Sequence, residues 1–335
     1  MRAIILNGHG GADVLGYVEN FPDPECGKDD VVVRVKSTSL NYHDIFTRNG
    51  MPGIKISMPM ICGLDVAGEI AEIGANVSGW KIGERVLIDP RNRVEGGLVG
   101  ETIHGGLAEY CRVKEHQLVR IPDGVSFDQA SSLPVAYGTA HRMMMTIGQV
   151  TSDDKILILG ASGGVGTGAL LLAKMAGAEV VVCASSDSKM EKLKSLGADH
   201  AMTYMNNEFH KGVYELYGKP GRRGFEGGVT MVVNFTGGDT WVPSLRSLKR
   251  GGRLLTCGAT AGFDPKTDIR FIWTFELKLL GSNSWERDDL EQLMKYIRDG
   301  KMEPVIDKKL PLTETREGIR LLEEREVFGK VVINP

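Results

Sequence analysis

Gly160-Ala-Ser-Gly-Gly-Val-Gly166 follows the apolar run Lys155-Ile-Leu-Ile-Leu159 and opens an Ala/Leu-rich stretch that ends at Gly177. A strand, a glycine turn and a helix in that order can hold a pyrophosphate. Backbone N–H groups at the helix N-terminus point at the anion, and the helix dipole favours it. Side chains at Gly163 and Gly164 would keep the phosphates off the backbone, and one at Gly166 would push the helix off the strand. Ser162 and Val165 complete the turn. A lone glycine string is weak evidence and fits an ordinary tight turn. Here Glu179-Val-Val-Val-Cys183 follows at the spacing of a second strand, so a dinucleotide is expected at residues 162–166.

The end of that second strand bears on which dinucleotide. An acid there would grip the ribose hydroxyls of NAD and repel a 2′-phosphate. This strand instead ends in Cys183-Ala184, followed by Ser185-Ser-Asp-Ser-Lys189. The hydroxyls of Ser185 and Ser186 and the ammonium of Lys189 suit a 2′-phosphate, so NADPH is the expected cofactor. The same serines can instead cap the next helix. Asp187, a little past the usual acid position, counts against the phosphate.

The elements that position these residues fit a chain of 335 residues, enough for two domains. Hydrophobic residues make up 42% and charged residues 25%, which is globular composition. Forty basic against 43 acidic side chains give a net charge of −3, which argues against a nucleic-acid partner recruited by bulk charge. No apolar run approaches the ~18 residues of a membrane span, and the opening Met-Arg-Ala-Ile-Ile-Leu reads as a first strand and not a signal peptide. Cys26, Cys62, Cys111, Cys183 and Cys257 form no C-x-x-C pair, so free thiols and a cytoplasmic location are expected.

The first 125 residues read as β-rich. Strands are expected at 31–35, 65–73 and 85–88, and the polar, Gly-rich 89–106 as a loop. A capped helix is expected to begin near Ser126. From Lys155 strands alternate with helices: 155–159, 179–183, 199–204, 229–235, 253–257 and 278–281, which predicts βαβ units and a parallel sheet. Late helices at 288–299 and 313–324 precede a closing strand at 329–334.

Beyond the glycine turn, several segments carry a family likeness. They include Ser39-Leu-Asn-Tyr-His-Asp44, Gly63-Leu-Asp-Val-Ala-Gly68, Gly105-Gly-Leu-Ala-Glu-Tyr110, Leu196-Gly-Ala-Asp199, Gly251-Gly-Arg-Leu-Leu-Thr-Cys-Gly258, Leu280-Gly-Ser282 and Gly329-Lys-Val-Val332. From end to end the chain resembles the medium-chain dehydrogenase/reductase superfamily, in its zinc-free quinone-oxidoreductase-like branch. The resemblance implies an α/β fold: a GroES-like partial β-barrel catalytic domain from 1–125 and 266–335, and a Rossmann doubly wound parallel-sheet domain at 126–265. It also implies a homodimer.

The resemblance assigns further residues, each beside a plainer role. Asn41 would line the nicotinamide pocket and donate to the ribose or the substrate carbonyl, or else fix a turn. Asp44 would organise that loop or take part in catalysis. Tyr42 and His43 are the nearest proton donors. Tyr137 and Thr139 match a segment packed against the nicotinamide, though Tyr137 equally suits a core. Tyr204 matches a residue beside the 2′-phosphate or packs in the sheet. Phe235, Gly258 and Ala259 end later strands, where ligands of open α/β sheets lie. Lys330 matches a lysine reaching toward the cofactor, or is a solvated charge. Phe46 stands where many quinone reductases of the branch carry Tyr.

The zinc enzymes of the superfamily hold their metal with Cys, His and Cys or an acid. At the matching places this chain has Asn41, Leu64 and about Val135, and its 89–106 loop lacks cysteine, so no metal is expected. A rival cluster of His43, Asp44, Cys62 and Asp65 has no recognised ligand spacing. Without a Lewis acid, hydride delivery to an activated C=C is easier to support than alcohol oxidation. The expected function is NADPH-dependent reduction of an α,β-unsaturated carbonyl, quinone or enoyl thioester, with small-molecule substrates and neither nucleic acid nor membrane as partner. The alternatives are an alcohol dehydrogenase or carbonyl reductase, and a weakly catalytic NADPH-binding sensor.

Overall fold

The computed structural model describes residues 1–204 and 207–335. They form two compact units, Met1–Ala136 with Glu286–Pro335, and Tyr137–Trp285.

In the first unit, strand Asp30–Ser39 pairs antiparallel with Asp65–Ile73, Tyr110–Lys114 and Lys330–Asn334, within a seven-stranded sheet. Its alternating valines Val31, Val33 and Val35 bury one face against Val66, Ile70, Val86, Ile88, Cys111 and Val113. A second, three-stranded sheet orders Leu15–Val18, Ala3–Leu6 and Met60–Ile61. Pairing Val332 with Ser39 and Ile333 with Thr38 brings the closing strand beside the loop that follows Ser39. That placement carries Lys330 into the 41–65 neighbourhood despite its distance in sequence.

The second unit is a six-stranded sheet built from β1 (Lys155–Ile158), β2 (Glu179–Ala184), β3 (His200–Thr203), β4 (Val229–Val233), β5 (Leu248–Thr256) and β6 (Lys278–Gly281). The spatial order is β3-β2-β1-β4-β5-β6, and every pair is parallel. This is the doubly wound order, whose reversal lies between β1 and β4. Helices cover the sheet, so the central strands are apolar throughout: Ile156, Leu157, Ile158, Val180, Val181 and Val182 are fully buried.

The division between units falls later in the chain than the expected 126 and 265. Helix Phe127–Ser131 is held by the first unit: Ser131 Oγ lies 2.8 Å from Ser37 Oγ, and its carbonyl accepts from Ser39 Oγ at 2.8 Å. Strand β6 pairs in register with β5, which ties residues 278–281 to the parallel sheet. The first unit also carries the helix Tyr42–Asn49, beyond the elements expected. Its start is fixed by Asp44 Oδ2, which accepts from Asn41 N at 2.8 Å, a capping arrangement visible in hindsight as Asn-x-x-Asp.

Candidate functional site

The glycine turn joins β1 to helix α1 (Gly164–Met175). Its N-cap is Gly163, which has no side-chain cap bond, so the first-turn amides are left to an outside acceptor. A Cβ on Gly166 would lie 2.4 Å from Gly160 O and 2.6 Å from Ala161 Cα; helix and turn are in direct contact there. Gly163 differs. A Cβ there would meet only Gly160 O, at 3.7 Å, and the residue's φ of −84° suits any side chain. Nothing among the described residues requires glycine at 163, whereas a phosphate seated on the helix N-terminus does. The residues present therefore fit a dinucleotide pyrophosphate.

Tyr137 bears on this site indirectly. Expected to face the nicotinamide, it is fully buried, with 0% exposure. The hydroxyl of Thr167 lies 3.1 Å from the carbonyls of both Gly163 and Gly164, and the Tyr137 hydroxyl meets it at 3.3 Å. The Tyr137 ring lies against Gly168 of α1, so the residue braces the phosphate-binding helix from within. Thr139, two residues on, is also buried.

The loop after β4 flanks the glycine turn, and the loop after β5 packs on that loop. The Phe235 ring and the Thr236 hydroxyl pack on Gly160. Gly258 and Ala259 follow β5, and Ala261 N donates to Thr236 O at 2.7 Å, tying the two loops together. Buried Asn234, absent from the sequence reading, shapes the first loop. Its Oδ1 accepts from Thr236 N and Gly237 N, both at 2.9 Å, and its Nδ2 donates to Thr240 Oγ1 and Ser244 Oγ. The signal was an amide ending an apolar strand before two glycines.

At the end of β2, Ser185 and Ser186 are exposed. Ser186 caps helix α2 (Asp187–Ser195), its Oγ accepting from Lys189 N at 3.4 Å and lying 3.2 Å from Ser188 Oγ. The capping role is thus realised, and the Ser186 hydroxyl has only part of its capacity left for a phosphate. Tyr204 follows β3, with its ring partly packed on the sheet core.

In the first unit, the Asn41–Asp44 loop sits on a buried polar network. Lys330, 2% exposed, donates from Nζ to Leu40 O at 2.9 Å, Asn41 Oδ1 at 2.5 Å and Asp65 Oδ2 at 3.2 Å. It is not the solvated charge that was one expectation for it, because the 330–334 strand buries it beside a carboxylate. Asp65, at 0% exposure, also accepts from Ser39 Oγ at 2.9 Å, Asn41 Nδ2 at 2.7 Å and Val135 N at 2.9 Å. The second Asn41 hydrogen goes to Ser39 O at 3.3 Å, so the amide expected to face a ligand is an internal anchor here. Asp44 is likewise buried, accepting from Asn41 N and from Gly63 N at 3.1 Å.

Two side chains of the loop are partly exposed. His43 Nε2 lies 2.7 Å from Glu101 Oε2. Tyr42 packs edge-on against Phe46, with ring centroids 5.3 Å apart. Burial opposes a charged His43, but the Glu101 hydrogen bond and the nearby carboxylates Asp44, Glu101 and Asp65 outweigh it, so its pKa is raised. Burial pushes Asp44 up to about 6 and pulls the Lys330 ammonium down against the attraction of Asp65. Glu101 and Asp65 escaped the sequence reading as partners. The available signal for Asp65 was a carboxylate opening a strand whose next residues, Val66 to Gly68, are buried.

Zinc finds no ligand set at the matching places. Leu64 is buried hydrocarbon, Val135 offers only backbone, and the Asn41 and Asp65 side chains are engaged with Lys330. Among the described residues no group of three or more His, Cys, Asp or Glu side chains could hold a metal ion. No helix of the described residues is long and apolar enough to cross a membrane.

Comparison with known proteins agrees with this geometry. Residues 27–123 match the family described as alcohol dehydrogenase GroES-like domain, and residues 164–299 the family described as zinc-binding dehydrogenase. The chain is 30% identical to acryloyl-coenzyme A reductase of Sulfurisphaera tokodaii, over 100% of both chains. It is 31% identical to an NADPH-dependent alkenal/one oxidoreductase, chloroplastic, of Arabidopsis thaliana, covering 100% of this chain and 80% of the relative. A solved structure titled NAD-dependent alcohol dehydrogenase superposes with a TM-score of 0.91 at 32% identity, over 100% of both chains.

Proposed function

The chain belongs to the medium-chain dehydrogenase/reductase superfamily, and from that premise we propose an NADPH-dependent, zinc-free reductase of activated C=C bonds in enones, quinones or enoyl thioesters. The observation that carries the cofactor assignment is Gly163, where the protein leaves room for a side chain that only a bound phosphate forbids. The named activities of the acryloyl-coenzyme A reductase and the alkenal/one oxidoreductase support the substrate class.

When bound, NADPH supplies the hydride that adds to the β-carbon. The turn 162–166 and the first-turn amides of α1 hold its pyrophosphate, with Phe235 bordering that turn and Gly258 and Ala259 in the loop beyond it. Ser185, Ser186 and Lys189, with Tyr204, receive the 2′-phosphate. In the first unit, His43 supplies the proton for the α-carbon, held in place by Glu101, whose hydrogen bond favours the protonated ring. Hydride and proton together convert the C=C to a saturated bond, with no metal needed to carry charge.

NADPH oxidation is expected with enones and enoyl thioesters, giving saturated products by mass spectrometry, more slowly with NADH and unaffected by chelator. Turnover confined to ketones and abolished by chelator would return the alcohol dehydrogenase. Tight NADPH binding with no turnover on any acceptor would make the protein a sensor.

A homodimer completes the proposal. Among the described residues strand β6 ends the parallel sheet with one edge unpaired, and Ile269 and Trp273 in the helix before it are 63% and 62% exposed. Light scattering is expected to give twice the chain mass; a monomer at micromolar concentration would refute it. The free thiols accord with a cytoplasmic protein.

A further inference from the structure

We propose that Lys330 and Asp65 form a positioning pair, which sets the start of the Tyr42–Asn49 helix and so the side chains of Tyr42 and His43, and that Lys330 makes no contact with the cofactor. The inference rests on the proposed function, because it takes the 41–44 loop as the source of the proton.

The geometry is that of a hub. Asp65 gathers four donors: Ser39 Oγ from one strand, Val135 N from the segment after helix Phe127–Ser131, Asn41 Nδ2 from the loop, and Lys330 Nζ from the closing strand. Lys330 spends its three hydrogens on Leu40 O, Asn41 Oδ1 and Asp65 Oδ2, the full donor capacity of an ammonium. Leu40 and Asn41 are the two residues immediately before the helix, and both are gripped by the same nitrogen. The backbone N of Asn41 is taken by Asp44, so the helix start is fixed from both sides.

A buried ion pair is weak evidence for stability, since a matched apolar replacement often folds as well. Fixing a loop is a different service. Burial of the pair is complete, with side-chain exposures of 2% and 0%, so no solvent competes for these bonds. An ammonium with every hydrogen spent inside the unit has none to offer a pyrophosphate.

The test compares Lys330→Met, Asp65→Asn and the double variant. Each single change strands a buried partner, so each lowers the melting temperature; the double leaves no unpaired charge and recovers most of that loss. Activity follows a different pattern. Lys330→Met lowers kcat by about tenfold or more while the Kd for NADPH stays unchanged, and the double does not recover kcat, because Leu40 O and Asn41 Oδ1 have lost their donor.

Recovery of kcat along with melting temperature would make the pair merely structural and overturn the inference. So would a weakened Kd for NADPH in Lys330→Met, which would return Lys330 to the cofactor. A double variant that melts as low as the singles would show that the two groups do not act as a pair. Wild-type turnover on enones is the separate control: its absence removes the proposed function, whereas the variant pattern bears on the pair alone.

Discussion

Replacing Gly163 by alanine is expected to weaken NADPH binding on the order of 100-fold while leaving the melting temperature unchanged. The new methyl group meets only Gly160 O, at 3.7 Å, and φ of −84° is comfortable for alanine, so the free protein accepts it. A pyrophosphate does not. It must approach the first-turn amides closely, and a Cβ in that space lengthens charge-assisted hydrogen bonds worth ~1.5–3 kcal/mol each. Losing one of them corresponds to ~10–100-fold in Kd at about 1.4 kcal/mol per decade. Gly166→Ala is the internal contrast. Its Cβ would sit 2.4 Å from Gly160 O, so that variant is expected to melt lower before any ligand is added. Calorimetric titration with NADPH and thermal unfolding of the two variants separate the cases. A Gly163→Ala protein that binds NADPH as wild type does would place the cofactor elsewhere.

His43→Gln is expected to lower kcat by about 10²–10⁴-fold, the usual contribution of a positioned general acid. Glutamine keeps an N–H for Glu101 and removes the titratable proton, so the loop should hold its shape while the chemistry fails. The pH profile gives the sign. The protonated imidazole is the competent form, so activity dependent on it is present at low pH and lost as pH rises through the raised pKa of His43. Glu101→Gln removes the partner that raises that pKa, so the alkaline limb of kcat should move to lower pH. Asp44, pushed up to about 6 by burial, lies beside this histidine, so the limb is read as a property of the coupled pair. Measuring kcat against pH for wild type and both variants decides the matter. Wild-type kcat in His43→Gln would rule the imidazole out and leave the Tyr42 hydroxyl as the donor to examine.

Lys330, Asp65 and Tyr137 show where local reading stops. Lys330 follows a glycine and opens a strand, a context that fits an exposed cation as well as a buried one. Its burial is created by pairing Val332 with Ser39, a contact between opposite ends of the chain. Asp65 opens a strand legible in the sequence, but its four donors come from three separated segments, 39–41, 135 and 330. Tyr137 was a candidate ligand contact until the packing of α1 enclosed it.

The amino-acid order alone determined the glycine turn and the parallel βαβ rhythm. Each is written in neighbouring residues, since turn chemistry and strand period act over a few positions. Tertiary structure alone decided which charges are buried, which hydroxyls brace a helix and which amide is already engaged. Those outcomes depend on distant segments meeting in three dimensions, and desolvation, the term that fixes the fate of a charge, has no signature in the residues on either side of it.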